Sequence, residues 1–120
     1  MLESGVASEF PIPPSVLTLV RAHRRLLEQR FGERLQFVRL FGSFARGDAE
    51  TDSDVDVAVV VTDLTEGERT VAIDLAYAAW SRSPTTGPLS PLVWSQAELE
   101  DRVRSERRIA HDILSGGIAL

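Results

Sequence analysis

The 120-residue chain contains no cysteine. That excludes disulfides and zinc sites built on thiolates. It contains no lysine either, since all 13 basic residues are arginine. A Schiff-base lysine and a P-loop lysine are thereby excluded. Two histidines, His23 and His111, argue against a histidine-rich metal site. No apolar run approaches the roughly 20 residues that span a bilayer. The N-terminus lacks the basic-then-apolar pattern of a signal peptide. The expectation is a cytoplasmic chain with no membrane partner. The net charge of −5 argues against broad nucleic-acid binding. An apolar fraction of 43% is ordinary for a globular protein, and the length suits one core. Residues 1–120 therefore read as a single domain.

One stretch organises the rest. It runs from Leu40 to Val61 and opens with Gly42-Ser43 at the end of an apolar run. Ten residues later come Asp54 and Asp56, followed at once by a valine-rich strand. Side chains at i and i+2 of a strand share a face. Asp54 and Asp56 thus stand side by side, with Val55, Val57, Val59 and Val61 turned towards a core. Two like charges held together need a positive group between them. A hard divalent cation such as Mg²⁺ takes such oxygen ligands. Gly42 permits close backbone approach. Ser43 reads as an N-cap for a short helix, and a helix start suits phosphate. A Gly-Ser alone is usually a turn, and two Asp before a strand are usually solvated. Together, between two apolar strands, they read as a phosphate cradle beside a metal-binding pair, which suits nucleotide chemistry.

The remaining elements follow from periodicity and breakers. Residues 1–14, with Pro11, Pro13 and Pro14, read as an irregular arm. Ser15 to Phe31 shows helical spacing, with Arg21, Arg24, Arg25 and Arg30 as a solvated polar side and His23 at the surface or boundary. Leu35 to Phe41 is the first strand, Ser43 to Arg46 a short helix, and Asp54 to Val61 the second strand. Between them lies a loop whose Asp48, Glu50 and Asp52 read as solvated. Thr65-x-x-Glu68 and Ser95-x-x-Glu98 are capping boxes. The first opens a helix to about Arg82 that carries an exposed Asp74. The second opens a final helical region to about Leu114. Leu89 to Trp94 is a third strand, and Pro91 within it marks an edge. Trp80 and Trp94 read as core or interface residues.

Gly42-Ser43, ten residues, then Asp54-x-Asp56 resembles the signature of the polymerase-β-type nucleotidyltransferase superfamily. The fuller Gly-Ser-Phe-Ala-Arg-Gly…Ser-Asp-Val-Asp string resembles the minimal nucleotidyltransferases, many of which are antitoxins of HEPN-domain toxins. The resemblance covers about 15 residues of the chain. It implies an α+β fold with a mixed sheet of three or more strands and flanking helices. It implies that Gly42 and Ser43 hold the triphosphate of ATP or another NTP. Asp54 and Asp56 would then be the catalytic carboxylates, holding one or two Mg²⁺ ions. Arg46 approaches phosphate or acidic groups on this reading, and serves packing or helix-end pairing on the other.

The resemblance also implies a third carboxylate on the next strand. The strand Pro88-Leu89-Ser90-Pro91-Leu92-Val93-Trp94 has none, and Ser90 stands at about that position. Asp74 is a possible substitute in space. Two functions follow. One is an enzyme that moves AMP or another NMP from NTP to a hydroxyl of a HEPN-type toxin. The other is an antitoxin that neutralises its partner by contact and keeps a residual nucleotide and metal site. So short a chain carries no separate domain for a small-molecule or RNA acceptor. An oligomer is compatible with either.

Overall fold

The structure is a computed structural model that describes residues 12–82, 84, 86–105 and 107–120. Residues 1–11 of the expected N-terminal arm lie outside the described residues. The fold is α+β, with a four-stranded mixed sheet in the order β3-β2-β1-β4.

Helix α1 spans Pro14–Phe31. Pro14 is its first residue rather than part of the arm, because proline's fixed φ and missing N–H suit a helix start. A 3₁₀ turn, Gly32–Arg34, leads into β1, Leu35–Phe41. Helix α2, Ser43–Arg46, follows directly, and then a loop leads to β2, Val55–Val61. Asp54 lies just ahead of β2 rather than within it. Helix α3 is Glu66–Ser81, and β3 is Leu89–Ser95. Strand β1 pairs antiparallel with β2, and β2 pairs parallel with β3. Strand β3 is the sheet edge, where Pro91 leaves no ladder bond unmade.

The final helical region is two helices, α4 (Gln96–Arg104) and α5 (Arg108–Gly116). In the sequence, residues 104–108 offer no apolar side chain to continue one amphipathic face. As two helices, Leu99 of α4 and Ala110 and Ile113 of α5 reach one cluster with Ala58, Val60 and Trp94. A two-residue β4, Ile118–Ala119, then adds to the edge at β1. It is too short to leave a periodic signal.

Strand β2 is buried on both faces. Val55, Val57, Val59 and Val61 pack beneath α1 and α3, as their alternation required. Ala58 and Val60 pack beneath α4 and α5. Asp56 alternates with those two, so its side chain belongs to the α4–α5 face.

His23 is a correction to the sequence reading. It is fully buried in α1 rather than at a surface or boundary. Its Nε2–H donates to the Ala72 carbonyl of α3 at 3.2 Å. Burial lowers its pKa to about 4, so the ring packs as a neutral group joining two helices. Both capping boxes form, and their glutamates also tie elements together. Arg34 grips Glu68 with two hydrogen bonds, of 2.7 and 2.9 Å. Arg69 of α3 reaches the Glu98 carboxylate at 3.0 Å and the Val93 carbonyl. Among the described residues no helix is long and apolar enough to cross a membrane.

Candidate active site

The antiparallel register sets Phe41, the last residue of β1, beside Asp56 near the start of β2. Gly42 and α2 follow Phe41 directly, so they sit at the same end of the sheet. Gly42 has φ +76° and ψ −151°, a region open essentially to glycine alone. A Cβ on Gly42 would overlap Asp56 Oδ2 and lie 3.2 Å from its Cγ. The absent side chain is the space that the carboxylate fills. Gly42 is also the N-cap of α2, and no side chain caps it. Ser43 is therefore the first helical residue, not the cap that the sequence suggested. The Ala45 and Arg46 N–H groups donate to the Gly42 carbonyl, at 3.1 and 3.0 Å; those of Ser43 and Phe44 precede the first turn, and no side-chain cap takes them.

A second glycine fixes the loop ahead of Asp54. Gly87 is buried, and a Cβ there would strike the Asp52 and Ser53 carbonyls. The Val55 N–H donates to the Pro88 carbonyl at 2.9 Å. The Glu50 N–H donates to Ser53 Oγ at 2.8 Å. Trp80 of α3 donates its indole N–H to the Thr86 carbonyl at 3.2 Å. The route from the α3 core to Asp54 thus runs through backbone contacts rather than through acidic side chains. Asp48, Glu50 and Asp52 are exposed, as solvated loop residues are.

Asp56 is half-buried and Asp54 is exposed. The Asp56 pKa is raised, first by burial and then by the charge of Asp54. Arg46 opposes the shift, so its charge reaches the pair although its guanidinium bonds Asp48 at 3.3 Å. Two oxygen donors short of positive charge have the chemistry to take a hard divalent cation.

Gly42, Ser43, Arg46 and Asp56 line one cleft of about 790 Å³ with Phe41 and Ala45. Asp54 stands beside Asp56 but does not line that cleft. A further wall comes from α5, through Arg108, Ile109, Asp112, Ser115 and Gly116. Read from the sequence, the region is one helical stretch, which hides this wall. The spacing 108, 112, 115 was the available signal, since it marks a single helix face.

Ser90 is the parallel register partner of Asp56, so β3 sets a hydroxyl where an acid would complete a trio. Asp74 does not substitute. It is exposed on α3, which covers the other face of the sheet. Among the described residues no three His, Cys, Asp or Glu side chains form a group that could hold a metal.

The family model described as nucleotidyltransferase domain matches residues 20–111. Protein adenylyltransferase MntA of Thermococcus cleftensis is 45% identical over 42 residues. That match spans 35% of this chain and 40% of the relative's length. A Sulfolobus solfataricus crystal structure assigned to the nucleotidyltransferases superposes with a TM-score of 0.55 at 21% identity. The superposition covers 99% of this chain and 87% of that one. A toxin–antitoxin crystal structure with AMP-PNP gives a TM-score of 0.50 at 21% identity, over 81% of this chain and 68% of that one. With the family match covering most of its length, and with Gly42-Ser43 and Asp54-x-Asp56 gathered at one end of the sheet, the chain belongs to the nucleotidyltransferase domain family.

Proposed function

We propose that the chain transfers a nucleoside monophosphate, AMP by preference, from an NTP to a hydroxyl of a partner protein, as the antitoxin of a HEPN-type toxin. The observation that carries this is the seating of the Asp56 carboxylate against Gly42, beside the uncapped start of α2, in one cleft. Its relative's name, protein adenylyltransferase, supports AMP and a protein acceptor. The toxin–antitoxin fold neighbour is the reason to seek that acceptor in a toxin.

In this reading the Gly42–Ser43 backbone orients the triphosphate. Asp54 and Asp56 would hold one or two Mg²⁺ ions, which when bound neutralise charge on the transferring phosphoryl group. The acceptor oxygen bonds to the α-phosphorus, the bond to the bridging oxygen of the β-phosphate breaks, and pyrophosphate leaves. The hydroxyl proton is released. The protein's task is alignment and charge placement rather than covalent participation. The test is transfer from α-labelled ATP to a co-expressed HEPN-type partner. Asp54→Ala/Asp56→Ala is expected to lower it at least about a hundredfold, as lost transition-state charge stabilisation does. Unchanged transfer would refute the assignment.

A second reading rests on Ser90. With a hydroxyl beside Asp56 on β3, the chain would bind nucleotide and neutralise its partner by contact, without turnover. That reading requires a complex stable in size-exclusion chromatography.

A further inference from the structure

The α5 wall of the cleft has no part in the motif that organises the other wall. It carries one guanidinium, Arg108, which lines the same cleft as Gly42 and Ser43 but from α5. Arg46, the other cleft guanidinium, is engaged by Asp48 at 3.3 Å. Arg108 is exposed, and among the described residues it forms no ion pair, although Asp112 stands one helical turn away. Asp56 is answered by Mg²⁺ in the reading above, whereas the Asp112 carboxylate on the α5 wall repels a polyanion unless a cation on that wall offsets it. The planar fork of an arginine matches phosphate oxygens two at a time.

We propose that Arg108 is the phosphate-binding cation of the cleft's second wall, gripping the NTP from α5 while Gly42 and Ser43 hold it from the end of β1. This inference rests on the nucleotide reading above and assigns the α5 side of the same site. Without Arg108 the triphosphate would be held from one side only.

Titration calorimetry of the chain with ATP and with adenosine, each with Mg²⁺ present, tests it. Arg108→Ala is expected to weaken ATP binding about ten- to a hundredfold, the loss of a charge-assisted contact. Adenosine binding should stay unchanged. Arg107→Ala removes the same charge one residue away from an exposed side chain outside the cleft, and should bind ATP as the parent does. Arg108→Lys should fall between, keeping charge but losing the fork. Unaltered ATP affinity in Arg108→Ala would overturn the proposal and leave the nucleotide reading standing. A parallel loss of adenosine affinity would overturn it in favour of a structural role. Failure of the parent chain to bind ATP at all would remove both.

Discussion

Gly42 and Asp56 interlock: the carboxylate occupies the space that any side chain at Gly42 would need. The contact joins the end of β1 to the start of β2 and fixes Asp56 against the first turn of α2. Gly42→Ala therefore has two costs. The backbone at φ +76° and ψ −151° disfavours a Cβ by about 1–3 kcal/mol, and Asp56 must move as well. The melting temperature is expected to fall by several degrees and transfer to fall with it. A Gly42→Ala protein that keeps both would separate the glycine from the site.

Asp56→Asn should part stability from activity. Burial and Asp54 raise the Asp56 pKa, so its ionised form is disfavoured by folding. Stability from this group is greatest at low pH and declines as pH rises through the folded-state pKa. The neutral amide is thus expected to raise the melting temperature at pH 7 while abolishing transfer. Thermal melts of the two proteins at pH 4 and pH 7 check it, with the gain larger at pH 7.

His23 sets a pH window of its own. Its pKa is about 4 in the fold against 6.5 when free, because burial disfavours the cation. The unfolded chain binds the proton first as pH falls. Stability should decline between about pH 6.5 and pH 4, by about 3 kcal/mol in total for this group. His23→Gln should flatten that limb in urea melts taken across the range.

Glu68 acts at lower pH. Arg34 is the main reason that its pKa falls to about 2. The stability it lends is complete above the usual carboxylate range and is lost as pH drops towards 2. Glu68→Gln should therefore destabilise at pH 7 and make little difference near pH 2.

Much of this architecture is legible in the residues, and the exceptions have physical causes. The valine alternation of β2 and both capping boxes are local patterns that tertiary structure merely uses. The interior place of His23 is not local. A histidine on a helix reads as polar until a carbonyl on another helix, here that of Ala72, meets it. The break before Arg108 depends on how α4 and α5 share one sheet face, and with it went the second cleft wall. The residue type predicts Ser43 as the cap of α2, but Gly42, in its strained conformation, takes the cap position and Ser43 becomes the first helical residue.

Ser90→Asp probes whether the acid missing beside Asp56 limits turnover. If turnover is limited by the missing acid on β3, Ser90→Asp should raise transfer and lower the melting temperature, since a third like charge joins Asp56. No rise in transfer would show that the site works as it stands or does not work at all.

The most direct test is the intact mass of a co-purified HEPN-type partner after incubation with ATP and Mg²⁺. The expected result is a mass gain of one or more AMP units that Asp54→Ala/Asp56→Ala removes. No gain, with Mg-ATP binding retained, would contradict the transferase and leave a contact antitoxin with a nucleotide site.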